Sequence, residues 1–182
     1  MKNSTSLLAA LVLATASLGP SSVYAADISS PPQALTIVDT SAFFGDAFAM
    51  NNSGDTFMDQ FTFTVAGVPH DLDAIISSIS RTAATGLDIT GLDLYTGAGA
   101  LVSAGSMVST GVQDIWTLSA NSLATGNYYL QVSGSLVSNT SGAFGGSVML
   151  NPVPEPATYG MMLAGLGVVG LLARRRKWGK QA

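Results

Sequence analysis

The stretch Asp59-Gln60-Phe61-Thr62-Phe63-Thr64-Val65 alternates apolar and polar residues almost without a break. In an extended chain, successive side chains point to opposite faces. This spacing therefore puts Phe61, Phe63 and Val65 on one side and Thr62 and Thr64 on the other. Short runs of the same kind recur from Ala34 onward: 34–40 (ALTIVDT), 43–50 (FFGDAFAM), 89–99 (ITGLDLYTGAG), 100–108 (ALVSAGSMV), 114–120 (DIWTLSA), a segment around Tyr128 to Val132, and 145–153 (GGSVMLNPV). Residues 71–80 (DLDAIISSIS) read as a strand because isoleucine and serine favour extended chain. A short helix is the alternative there, since Ile75, Ile76 and Ile79 also fit helical spacing. Turn residues separate the runs: Asn51 to Asp55, Gly67 with Pro69, Thr96 to Gly99 as a hairpin turn, and Thr125 to Asn127. Eight or nine strands at roughly 8–12-residue spacing predict an all-β fold, a jelly-roll-like β-sandwich.

The two ends read differently. Lys2 precedes an uncharged apolar stretch, Leu7 to Leu18, and Val23-Tyr24-Ala25 follows. That is the layout of a secretory signal peptide, 1–25, cut by signal peptidase after Ala25, with Ala26 as the alternative site. An uncleaved anchor is a further alternative, but the stretch is short for one. At the other end, Tyr159 to Ala173 carries no charge, and Arg174, Arg175, Arg176 and Lys177 follow at once. Fifteen helical residues measure roughly 22 Å, against a bilayer core of about 30 Å. The expectation is one short C-terminal transmembrane helix with the basic tail, 174–180, held in the cytoplasm by the positive-inside rule. The chain so divides into a signal peptide (1–25), an ectodomain (26–151) and a C-terminal segment (152–178).

Charge follows the same division. The whole 182-residue chain carries a formal −4, but ten aspartates face one arginine, Arg81, between Ala26 and Pro152, which leaves that part at −9. Such a domain repels phosphate backbones, so nucleic acid is excluded as a partner. No cysteine is present, which removes disulfides, thiolate catalysis and zinc–thiolate sites. Trimming both ends leaves about 125 residues, an ordinary domain size that buries a core without staples.

Val153-Pro154-Glu155-Pro156 precedes the apolar run. Two prolines fix φ, withhold two backbone donors and push the preceding residues to extended conformations. The physical reading is a stiff, unpaired segment suited to a protease cleft, or a rigid spacer. Val-Pro-Glu-Pro, a short Gly/Leu-rich apolar segment and Arg-Arg-Arg-Lys, in that order over about 152–177, resemble the PEP-CTERM sorting signal of Gram-negative bacteria that make extracellular polysaccharide. The resemblance implies cleavage near the Pro-Glu-Pro by exosortase, an integral-membrane cysteine peptidase. It further implies transient membrane anchorage and delivery to the cell surface or exterior. Phe57-Met58-Asp59-Gln60-Phe61 fits F-x-D-x-F and resembles the FxDxF subgroup of those proteins, whose activity is not established. The stretches at 61–65, 91–99 and 126–134 also look loosely like bacterial pre-peptidase C-terminal sandwiches.

Phe57, Asp59, Phe61 and Phe63 share one strand face, and an aspartate among inward phenylalanines is costly unless bonded. The expectation is that Phe57 to Asp59 forms the strand entry and Asp59 accepts backbone N–H groups in a turn, with pairing to Arg81 as the alternative. Catalytic groups are scarce: one histidine, one arginine, no lysine and no glutamate before Glu155 in the domain, and no G-x-S-x-G elbow. Gly165, Gly167 and Gly170 match G-x-G-x-x-G, but inside an apolar run rather than between a strand and a helix, so no dinucleotide site follows. His70, Asp71 and Asp73 offer one imidazole and two carboxylates as a candidate calcium site, with a polar turn as the plainer reading. No other cofactor is expected. The resulting expectation is a noncatalytic surface or matrix protein associated with exopolysaccharide and biofilm. The alternative is a carbohydrate-binding module that stacks sugars on Tyr95, Trp116, Tyr128 or Tyr129.

Overall fold

The alternation at 59–65 belongs to a longer strand, β3 (Thr56–Val65). Phe57, Phe61, Phe63 and Val65 are buried on one face, while Thr62 is half-buried and Thr64 exposed on the other. The computed structural model describes residues 25–153 and 156–178; the expected signal peptide, up to residue 24, lies outside the described residues.

Ten strands are described. Besides β3 they are β1 (Gln33–Ala34), β2 (Ser41–Phe48), β4 (His70–Ile79), β5 (Leu87–Thr96), β6 (Leu101–Ala104), β7 (Ser106–Ser109), β8 (Gln113–Leu123), β9 (Gly126–Leu136) and β10 (Gly142–Pro152). One sheet runs β1-β3-β9-β5-β6 and the other β2-β10-β4-β8-β7. All ladders are antiparallel except the short β1–β3 pair. The inner faces meet as in a β-sandwich. Phe61 of the first sheet lies 4.8 Å from Phe44 of the second, and Phe57 stacks on Phe144 at 5.5 Å. Leu92, Leu94, Leu130 and Val132 complete the centre with no exposed surface. Each such side chain contributes about 1.5–3 kcal/mol by leaving water.

Two segments depart from the sequence reading, and a third resolves an alternative it left open. The run 34–40 is not one strand. Only Gln33 and Ala34 pair, and Asp39 and Thr40 take left-handed φ of 48° and 71°, which closes a tight turn with Val38 bonded to Ser41 at both backbone groups. Residues 100–108 form two strands in different sheets, and the chain changes sheet at Gly105. A Cβ there would overlap the Leu92 carbonyl oxygen, so the close crossing requires glycine. At 71–80 the strand reading holds: Leu72, Ala74, Ile76 and Ser78 face in, whereas Ile75 and Ile79 face water.

Beyond β10, α1 (Pro156–Trp178) is a single helix. Proline is tolerated in its first turn because that N–H lacks an intrahelical partner anyway.

Candidate functional site

The C-terminal segment leaves the sandwich without slack. Pro152 is paired opposite His70 in the β10–β4 ladder, and the Val153 N–H donates to the Pro69 carbonyl at 2.8 Å. Pro154 and Glu155 lie outside the described residues. In α1 the apolar side chains Met161, Met162, Leu163, Leu166, Val168, Val169, Leu171 and Leu172 are all exposed, and a Cβ on Gly160, Gly165, Gly167 or Gly170 would meet open space. The expected transmembrane helix at 159–173 is corrected here. Among the described residues no helix is long and apolar enough to cross a membrane. The uncharged part is only fifteen residues, four of them glycine, and the same helix continues through Arg174, Arg175, Arg176 and Lys177.

A second constellation sits where the N-terminal segment meets β3. Asp59 faces inward between Phe57 and Phe61 with 1% of its surface exposed, so it is not at a strand entry. Its Oδ1 accepts the Ser30 N–H at 2.7 Å, a donor from the chain before β1 rather than from a turn. No bond to Arg81 forms. The carboxyl instead faces that of Asp46 on β2 within side-chain hydrogen-bond range. The Oδ2 atoms of both are buried, and no donor group of another residue reaches either. Burial raises the Asp59 pKa to about 6, against the Ser30 bond, and the charges of Asp46 and Asp27 push the same way as burial. Asp59 therefore keeps its proton to a higher pH than an isolated aspartate does.

The candidate calcium ligands have other engagements. His70 Nδ1 lies 2.7 Å from the Val68 carbonyl, Asp71 Oδ1 accepts the Ser122 N–H at 2.8 Å, and Asp73 Oδ1 accepts the Ser119 hydroxyl at 2.6 Å. Strand β4 carries all three, but they tie β4 to the preceding turn and to β8. Among the described residues no group of three or more His, Asp or Glu side chains is gathered as metal ligands. The four candidate sugar-stacking aromatics also separate. Tyr128 is buried with its hydroxyl on the Ala124 carbonyl, and the Trp116 indole N–H is taken by the Ile89 carbonyl. Tyr95 and Tyr129 remain at the surface as a stacked pair, 5.2 Å between centroids.

Residues 152–177 match the family model described as the PEP-CTERM protein-sorting motif. The chain carries a PEP-CTERM sorting signal. Its first matched residue, Pro152, is also the last residue of β10. The PEP-CTERM segment therefore abuts the folded sandwich directly, and the motif implies export and sorting to the cell surface. No curated protein matches the chain. Among solved structures, the chain is similar to the pre-peptidase C-terminal domain of collagenase from Bacillus anthracis. Identity is 19%, coverage is 68% of this chain and 93% of that one, and the TM-score is 0.34.

Sequence reasoning passed over one polar residue that the sandwich depends on. Asp114 on β8 is 1% exposed and accepts three bonds: from the Ser78 hydroxyl (2.9 Å), from the Ile89 N–H of the opposite sheet (3.2 Å) and from the Gly111 N–H (2.9 Å). Its only signal in sequence is an aspartate beginning an apolar strand after a Thr-Gly turn, which many surface aspartates share.

Proposed function

We propose that this is a noncatalytic protein of the cell surface or extracellular matrix. It is exported by its N-terminal signal peptide, processed at its tail by an exosortase, and resident with exopolysaccharide in biofilm. The observation that carries the reading is the PEP-CTERM match beginning where the last strand ends. A cut within the motif removes the tail without cutting an inner strand. Since α1 is not long and apolar enough to cross a membrane, the reading rests on handling of the tail by the enzyme rather than on permanent anchorage. Membership of the FxDxF subgroup is part of the proposal. Phe57, Asp59 and Phe61 act together on one inner face, which gives the motif a structural purpose and calls for no cofactor. The test is the intact mass of the protein recovered from the outside of its native cells. The expected mass ends near residues 153–157. Normal export and placement of the protein in a strain without exosortase, or of a tail-deleted chain, would refute the sorting reading.

The half-buried Tyr95–Tyr129 pair at the surface favours a second reading, a carbohydrate-binding surface on the outer face of the first sheet. Gln60, Thr62, Thr64 and Asn127 lie on or beside the strands next to Tyr129 and line one groove with it. Aromatic faces beside amide and hydroxyl groups are the usual chemistry of sugar binding. Retention of the double variant Y95A/Y129A on the native polysaccharide at wild-type strength would remove this reading.

A further inference from the structure

The N-terminal end of the described chain does more than lead into the sandwich. The Ala26 carbonyl accepts the Thr56 N–H at 3.0 Å, and the Ala26 nitrogen donates to Asp55 Oδ1 at 2.8 Å. Asp27 bridges Thr56 in parallel register, and the Ile28 N–H reaches the Thr56 carbonyl at 2.9 Å. The Met58 N–H then donates to the Ser29 hydroxyl, and the Ser30 N–H to Asp59. From Ala26 onward the segment follows the edge of β3, with Ile28 packed against the core. Asp55 is itself fixed on both sides, its N–H on the Asn52 carbonyl and its carbonyl on the Leu136 N–H. The backbone that carries its carboxylate is therefore fixed independently of Ala26. Ala25 is exposed.

We infer that maturation cuts between Ala25 and Ala26, and that Asp55 is the built receptor for the α-ammonium this cut creates. The inference rests on the export reading above. The chemistry is hydrolysis by a leader peptidase. Water adds its hydroxyl to the Ala25 carbonyl carbon, the C–N bond breaks, and the Ala26 nitrogen leaves as an amine that takes a proton at neutral pH. The atom that donates to Asp55 as an amide then donates as a cation. A neutral contact becomes a charge-assisted one with no movement of either residue. A cut one residue later would start the chain at Asp27. That removes both the carbonyl that receives Thr56 and the donor to Asp55, leaving the start of the edge strap loose. Of these two cuts, only the one after Ala25 keeps every bond.

The experiment is N-terminal sequencing and intact mass of the exported protein, followed by NMR titration of its α-amino group in wild type, D55N and D55E. A free α-amino group titrates at about 7.7–8.0. The expected result is a chain beginning at Ala26 whose α-ammonium holds its proton at least about threefold more tightly in wild type and D55E than in D55N, a modest effect suited to an exposed pair. A chain beginning at Asp27 or later, or an α-amino group that titrates alike in wild type and D55N, overturns the inference and leaves export standing. Retention of residues 1–25 on the exported protein overturns leader removal and the inference with it, and recovery of the protein only inside the cells overturns the export reading itself. D55E guards against a D55N chain that does not fold, because it keeps the carboxylate.

Discussion

Asp59 and Asp46, thirteen residues apart in sequence, turn their carboxyls toward each other inside the sandwich, and burial there, with the Asp46 charge beside it, raises the Asp59 pKa to about 6. That arrangement sets a pH dependence with a definite sign. Below about pH 3.8 Asp59 is protonated whether the chain is folded or not. Between there and about pH 6 the folded chain keeps a proton that the unfolded chain has released. Stability therefore falls as pH rises through this window, and the loss is complete above about 6. Its size is on the order of 2–3 kcal/mol from this group. Denaturant unfolding between pH 4 and 7.5 measures it. In D59N the amide carbonyl still accepts Ser30 and the amide N–H donates to Asp46. The expected outcome is a flattened profile and stability at pH 7.5 no lower than wild type. A D59N profile as steep as wild type would refute the raised Asp59 pKa.

Asp114 ties the sheets together from the opposite direction. D114A strands three donors, two from the protein backbone and one from Ser78. The expected cost is about 3 kcal/mol or more, because buried donors left unpaired lose their hydration without compensation. D114N keeps an acceptor and costs less. Equilibrium unfolding of both variants tests this, and equal losses would contradict it.

Phe57 lies on a glycine. It pairs with Gly134 across the β3–β9 ladder, and a Cβ at 134 would overlap both the phenyl ring and the Asp88 carbonyl oxygen. G134A is expected to destabilise by about 2–3 kcal/mol through overpacking. Thermal melts compare it with G54A. Position 54 offers open space, so any cost there comes only from its positive φ of 89°.

The tail is expected to be dispensable for folding, and the strand before it is not. A chain ending at Val153 keeps every ladder, including the bond from Val153 to Pro69. It is expected to match the full chain within about 0.5 kcal/mol in denaturant, as changes remote from packing usually do. A chain ending at Ala143 loses nearly all of β10, which lies between β2 and β4, and is expected not to fold. Circular dichroism of the two truncations distinguishes these outcomes.

Much of the fold was legible because strand periodicity is local. The period of two at 61–65 and at 71–80 fixes which residues face inward once a strand is granted. At 75–79 the structure chose the strand alternation over the helical one, sending Ile75 and Ile79 to water. The tail was legible for the same reason: Pro-Glu-Pro, the apolar run and the arginines are contiguous in sequence. Its short length was legible too, but the transmembrane helix expected there was not borne out, since α1 is not long and apolar enough to cross a membrane.

The sequence by itself determined most of the strands, the acidic domain charge and the sorting segment, because each depends on neighbours along the chain. Tertiary structure alone decided that Asp59 faces inward onto Asp46, that Asp114 reaches across to Ile89, that the chain changes sheets at Gly105, and that Ala26 lies on Asp55. All but the Gly105 crossing are meetings of groups 13 to 29 residues apart. Which polar group meets which is set by strand order and register, and local residue preference carries no record of either.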